Sequence, residues 1–302
     1  VKTDTLAFQA YSQRMQVFMQ QLENDPFTAF QDSVKLTLYQ AHPIKKRLTV
    51  ADVQQLDYAK ALQIYQQRFA NAADFSFAVV GNVDLDAIEP LLEQYVATLP
   101  TQKDREKLTH PILAISGKKT VHFTTTMVQP KTTVYICNYK TGAVSSKQTL
   151  VYKLLDAILD MVYTESVREE QGGTYGVSTS ISVNQLPKPA VYMAIQFQTD
   201  SAKVATLLPI IYDELGKIAA QGPKAEHLQK AKEYAKKTYI DQQINNGYWL
   251  NRLVDTQFYG KDNQASYLSD LAKITAKDIQ KAAKILFSSP NLKEIVQVGV
   301  SK

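Results

Sequence analysis

The sequence predicts an α+β fold in which an antiparallel or mixed sheet packs against helices, and three observations carry that expectation. Residues 177–183 alternate Val177, Thr179, Ile181 and Val183 with Ser178, Ser180 and Ser182. Residues 190–198 alternate Val191, Met193, Ile195 and Phe197 with Tyr192, Ala194 and Gln196. Both runs have the period of two that marks a half-buried strand, and the loop with Pro187 and Pro189 that joins them points to an antiparallel pair rather than a doubly wound sheet. Helical periodicity flanks the pair. Leu150, Val151, Leu154, Leu155, Ile158, Leu159 and Val162 precede it, and Val204, Leu207, Leu208, Ile211, Leu215 and Ile218 follow it. Gly222-Pro223 stops the second of these helices.

The remaining elements fall into two distant copies of one pattern, and a repeat sets the architecture. In the first copy a helix-like segment Phe27 to Tyr39 is followed by Leu48-Thr49-Val50-Ala51-Asp52-Val53-Gln54, which opens another helix, and then by a strand at Ala78-Val79-Val80-Gly81. In the second, Trp249 to Tyr259 is followed by Ile274-Thr275-Ala276-Lys277-Asp278-Ile279-Gln280, another helix, and Val296-Gln297-Val298-Gly299. Thr49 with Asp52 and Thr275 with Asp278 make matching helix starts, a hydroxyl cap followed by an acid at the positive helix end. The second copy has a front portion that the first lacks, from about 131 to 221, reading strand, helix, strand, strand, helix. A polar link, Thr101 to Thr109, separates the first 100 residues from the rest.

Composition narrows the class. A chain of 302 residues with 45% hydrophobic content has room for one large or two ordinary domains. No apolar run approaches the ~20 residues of a spanning helix, and Val1-Lys2-Thr3-Asp4 begins no signal peptide. The missing initiator Met is what an excised piece of a longer parent would show. The net charge of +5 includes Lys230, Lys232, Lys236 and Lys237, interleaved with Glu226 and Glu233 as on a solvated helix face. With no nucleic-acid motif and only Tyr234 and Tyr239 among them, nucleic-acid binding is not expected. Cys137, in the run Val134-Tyr135-Ile136-Cys137, has no second cysteine to pair with and reads as a buried small hydrophobe.

The candidate site is Arg168-Glu169-Glu170-Gln171-Gly172-Gly173-Thr174-Tyr175. Arg168 falls near the end of the helix that begins around Leu150, the glycine pair can close that helix in the left-handed conformation, and Tyr175 enters the first strand of the pair. Such a corner can aim a guanidinium and a phenol at one carbonyl oxygen or oxyanion. A surface arginine and a capping tyrosine would leave the same spacing.

The segment Val167 to Val177 resembles the arginine/tyrosine signature in the C-terminal half of the pitrilysin and insulinase type of zinc metallopeptidases, the inverzincins. Phe77-Ala78-Val79-Val80-Gly81-Asn82-Val83-Asp84, with Leu85 to Ala97 and Leu99-Pro100 behind it, is similar to that family's strand, glycine turn, helix and exit. Asn24-Asp25-Pro26 and Ala41-His42-Pro43 extend the likeness over nearly the whole chain. The family's His-x-x-Glu-His is absent: none of His42, His110, His122 and His227 has a second histidine at that spacing, and Glu226-His227 is the nearest fragment. Leu6 to Leu22, where the catalytic domain would carry its late glutamate ligand, contains no acid.

The resemblance therefore implies the noncatalytic rear half of a four-domain zinc endopeptidase. Residues 1–118 would be the rear part of its third domain with a linker, and 119–302 its complete fourth domain. Zinc would lie on the N-terminal catalytic half of the same parent and none on this chain, which alone would not cleave peptides. Arg168 and Tyr175 would bind a peptide or protein substrate across the cavity and stabilise the oxyanion. The competing implication is a noncatalytic assembly subunit, as among processing-peptidase and respiratory-complex relatives. The periplasm or cell envelope is favoured over the cytoplasm. Other chemistries lack their signatures, since Gly172-Gly173 is neither a phosphate loop nor a dinucleotide fingerprint and no Gly-x-Ser-x-Gly is present. Asp213 with Glu214, adjacent on a helix, are expected to diverge as solvated acids.

Overall fold

Alternating and β-branched runs between residues 119 and 301 pair into one five-stranded sheet. The structure is a computed structural model that describes residues 3–103, 105–107, 111–169, 174–260 and 264–301. In chain order it contains α1 (Thr5–Glu23), α2 (Pro26–Tyr39), α3 (Val50–Gln54), α4 (Tyr58–Phe69), α5 (Leu85–Tyr95), β1 (Lys119–Met127), β2 (Thr132–Thr141) and α6 (Ser146–Tyr163). There follow β3 (Thr174–Asn184), β4 (Ala190–Thr199), α7 (Val204–Gln221), α8 (Ala225–Gln242), α9 (Asn246–Tyr259), α10 (Tyr267–Lys273), α11 (Ala276–Phe287) and β5 (Lys293–Ser301).

The elements form two compact units, each drawn from separated parts of the chain: residues 1–25, 47–110 and 241–262 in one, and 26–46, 111–240 and 263–302 in the other. The sequence reading draws a single boundary at 118, whereas these units are discontinuous. Helices α2 and α9, the matched helices of the two copies, have changed places: α2 belongs to the unit with the second copy's sheet and α9 to the unit built from the first copy.

The sheet of the larger unit has the order β1-β5-β2-β4-β3. β1 and β5 run parallel, with Val121 opposite Ile295, and the other neighbours are antiparallel. This is the mixed sheet the sequence predicts, and β3 and β4 are the predicted pair, Ile181 opposite Met193. Successive side chains of a strand point to opposite faces. Cys137, Tyr139 and Ile295 meet Phe30, Val34 and Leu38 of α2 on one face. From the other side Asn138 donates to the Leu286 carbonyl of α11 at 2.6 Å, and the Tyr212 hydroxyl of α7 donates to Glu294 of β5 at 2.6 Å. The sheet is thus covered on both faces. β1 is not foreseen from the sequence, because Lys119 to Thr126 is polar apart from Val121 and Phe123 and the strand lies at an edge. The predicted helix stop is observed, with Gly222 at φ 83° donating its N–H to Ile218 at 2.9 Å.

The smaller unit is helical. Asp4, Asp57 and Asp84 cap α1, α4 and α5, and Phe8 stacks on Tyr58 at 4.6 Å. Thr49 and Asp52 form the reciprocal capping box expected of them, as Thr275 and Asp278 do at α11. The strand predicted at 78–81 does not form: Ala78 to Gly81 lie outside any ladder. Its counterpart 296–299 lies inside β5. A strand needs neighbours to satisfy its backbone, and all five strands of the described residues belong to the other unit.

Candidate functional site

Helix α6 starts on a capping box, Ser145 accepting from the Gln148 N–H at 3.2 Å while the Gln148 side chain accepts from the Ser145 N–H at 2.9 Å. The seven apolar positions predicted for its inner face, from Leu150 to Val162, are all buried. Tyr163 closes that face, its hydroxyl donating to the Ile211 carbonyl of α7 at 3.0 Å, and burial first, then the Glu214 charge, raise its pKa above the ordinary phenol.

The helix does not continue regularly to Val167 as its periodicity predicts. Residues Thr164–Glu169 widen into a π-helical turn. Two hydroxyls bend back along it, Thr164 donating to the Asp160 carbonyl at 2.8 Å and Ser166 to the Val162 carbonyl at 2.9 Å. Such back-bonding competes with the regular ladder, and isolated π turns recur at functional sites.

Arg168 lies in this turn and Tyr175 in β3, which packs against it. The helix-to-strand arrangement read from the sequence is therefore present in the backbone. The side chains of Arg168 and Tyr175, and all of Glu170 to Gly173, lie outside the described residues. β3 enters the sheet irregularly, Thr174 opposite Thr199 and then a register shift before Val177 opposite Phe197, and Tyr175 sits in that irregular start.

What the sequence reading misses is the support beneath the turn. His227 of α8 is buried, and its Nε2 lies 3.1 Å from Glu165 Oε1. Lys224 Nζ stands 3.9 Å from the other oxygen of Glu165. The turn, the C-terminal end of α7 and the start of α8 enclose a cleft of about 280 Å³ containing Glu165, Ser166, Lys217, Gln221 and His227. From the sequence His227 stands out only as the end of a Glu-His dipeptide, and nothing there ties it to a residue 62 positions away. Asp213 and Glu214 depart from expectation as well. Both carboxylates reach Lys217 Nζ, each at 2.8 Å, because residues three and four apart share a helix face.

The other chemical candidates sit in structural roles. Cys137 is buried, and burial pushes its thiol up to about 11 against the opposing pull of Tyr135 and Lys293, leaving it little nucleophilic character. His42 occupies a turn, its carbonyl accepting from Lys45 at 2.9 Å, and His110 lies outside the described residues. His122 is exposed on β1, 3.8 Å from Glu294. Among the described residues no three His, Cys, Asp or Glu side chains converge to hold a metal, so the residues present do not fit a zinc centre, and no helix is long and apolar enough to cross a membrane.

Residues 56–234 match the family model described as the peptidase M16 inactive domain. The chain is 22% identical over 261 residues to a zinc protease PQQL-like protein of Arabidopsis thaliana, an alignment covering 81% of this chain and 27% of the relative. Its fold superposes on the crystal structure of the periplasmic protease PqqL from Escherichia coli with a TM-score of 0.82 at 20% identity, over 98% of this chain and 33% of that one. A peptidase M16 inactive domain from Pseudomonas fluorescens gives 0.76 at 18% identity, over 99% and 72%. The chain thus spans about a third or less of the PqqL-like proteins it matches. With more than half of its residues inside the family model and its mixed sheet shared with these structures, the chain belongs to the peptidase M16 inactive-domain family, the pitrilysin-type fold without the catalytic histidine motif.

Proposed function

We propose that the chain is the rear half of a zinc-dependent endopeptidase, closing over a peptide or protein substrate bound on an N-terminal catalytic half of the same parent. Zinc belongs to that other half and supplies the hydrolytic chemistry there. This chain contributes donors: Arg168 and Tyr175 hold the substrate backbone and stabilise the oxyanion of the scissile carbonyl. The observation that carries the reading is the corner itself, a widened helix end bearing Arg168 packed against the strand bearing Tyr175. A planar guanidinium and a phenol both supply donors that one oxygen can accept. The periplasmic setting of the Escherichia coli relative favours the same compartment here.

The same reading makes residues 1–118 the rear part of a third domain and 119–302 a fourth. Aligning Tyr39 with Tyr259 sets Phe30, Val34 and Leu38 against Leu250, Val254 and Phe258. The α2 residues are buried on the sheet, whereas the α9 residues are 39%, 37% and 58% exposed. In the parent, a sheet formed by chain outside these residues would cover α9 and take up 78–81 as a strand.

The test is kinetic and uses the full-length parent. Tyr175→Phe and Arg168→Lys should each lower kcat and kcat/KM together by about 10²-fold, the effect of losing one oxyanion donor, with folding and zinc content unchanged. Wild-type kcat in a folded Tyr175→Phe parent would remove the catalytic role. A parent with no chelator-sensitive cleavage at all would make the assembly-subunit reading the better one.

A further inference from the structure

We propose that His227 is a positioning residue that acts through Glu165, holding the turn Thr164–Glu169 in its π form and so setting the direction in which Arg168 leaves the helix end. The inference rests on the role proposed above for Arg168. Its physical core is geometric. A π turn carries one residue more than an α turn, and one residue of an α-helix is about 100° of rotation about the axis. If the turn relaxed to α, the positions towards and beyond its end would swing by up to that amount, Arg168 among them.

Glu165 is the turn's tether to the rest of the unit. Tyr163 already fixes the preceding residue to α7 through the Ile211 carbonyl, and Val167 is fully buried. Between them the outward-facing Glu165, 42% exposed at its side chain, is held at 3.1 Å by an imidazole that is only 2% exposed. The Nδ1 atom of that imidazole is buried with no hydrogen-bond partner. The polar interaction of His227 is therefore spent on Glu165, with Nε2–H donating to the carboxylate and the Nδ1 lone pair left bare. A histidine kept only for packing has no need of that arrangement, and a leucine would fill the site without an orphaned nitrogen. Among the described residues, the charged groups lining the same cleft are Lys224, 3.9 Å from Glu165, and Lys217 with Glu214, which are paired to each other.

The experiment compares His227→Leu, which keeps bulk and loses the donor, with His227→Gln, which keeps an N–H donor near the Nε2 position. Hydrogen exchange is followed in the 302-residue chain, and kinetics in the full-length parent. Expected for His227→Leu is exchange at least about tenfold faster across 164–169, with β2 and α11 unchanged, as local opening would give. In the parent kcat should fall by about tenfold at nearly constant KM. His227→Gln should restore both. Unchanged exchange at 164–169 in a folded His227→Leu chain would overturn the proposal. If His227→Leu fails to fold, Glu165→Ala removes the same contact from the exposed side: faster exchange confined to the turn supports the tether, and wild-type exchange overturns it. Failure of the Arg168 role is separable, since Arg168→Lys would then leave kcat intact while the exchange result for His227→Leu still stands.

Discussion

Asp156 shows how a single residue of the supporting helix is held at a cost. It lies on α6 opposite β3, its Oδ1 is buried without a hydrogen-bond partner, and burial raises its pKa against the smaller opposing effects of Thr179 and Ile181. A carboxyl whose folded pKa exceeds its unfolded value binds more protons folded than unfolded between those two values. Stability then falls as pH rises through that window and stays reduced above it. Asp156→Asn should accordingly raise Tm at pH 7. The gain should shrink as pH is lowered and the wild-type carboxyl takes up its proton. A pair of thermal melts at neutral and acidic pH checks both parts, and a lower Tm for Asp156→Asn at pH 7 would contradict the sign.

At the scale of elements, the two copies give an internal control. Gly299 in β5 abuts backbone: a Cβ there would lie 2.6 Å from the Lys131 carbonyl oxygen and 2.7 Å from its nitrogen. Gly299→Ala should therefore cost about 3 kcal/mol, the upper end of overpacking effects. The matching Gly81 meets only Val83 Cγ2, at 3.8 Å, so Gly81→Ala should be close to neutral in this chain and become costly in the parent if 78–81 joins a sheet there. Denaturant unfolding of both variants in both contexts measures the contrast. The same comparison explains what sequence patterns reveal. Periodicity finds α6, α7, β3 and β4 because burial on one face imposes it, and the Thr-Asp starts of α3 and α11 are local chemistry that needs no distant partner. The segment 78–81 reads as a strand just as 296–299 does, yet pairing is a property of neighbours and not of the segment. The π turn is invisible for a related reason: its tether, Glu165 to His227, closes through space between helices whose own patterns are regular. Arg168 and Tyr175 come from a motif, whereas the contact of His227 with Glu165 emerges only in three dimensions.

Across the whole molecule, the smaller unit leaves many of its large apolar residues exposed. Leu250, Val254 and Phe258 form a stripe at helical spacing, and stripes of that kind are normally covered. Replacing all three by serine should leave the melting of this chain within about 0.5 kcal/mol per site of wild type, as for exposed positions. In the full-length parent the same triple change should destabilise strongly, if the proposed sheet covers α9. Equal effects in the two contexts would show that α9 faces solvent in both.

The exchange of α2 and α9 between units also has a consequence for the order of events in biosynthesis. Gln297, on the last strand, donates to the Pro26 carbonyl at the head of α2 at 2.7 Å, a contact spanning 271 residues. β5 lies between β1 and β2, next to the edge strand of the sheet. Until it leaves the ribosome, β1 has no neighbour, β2 lacks one of its two, and α2 has only part of its seat. Contacts of such long separation are slow to form, and partly paired strands aggregate while they wait. The larger unit therefore completes its core only once residues 293–301 have been made, and a nascent chain stalled anywhere before residue 293 should remain a client for chaperones.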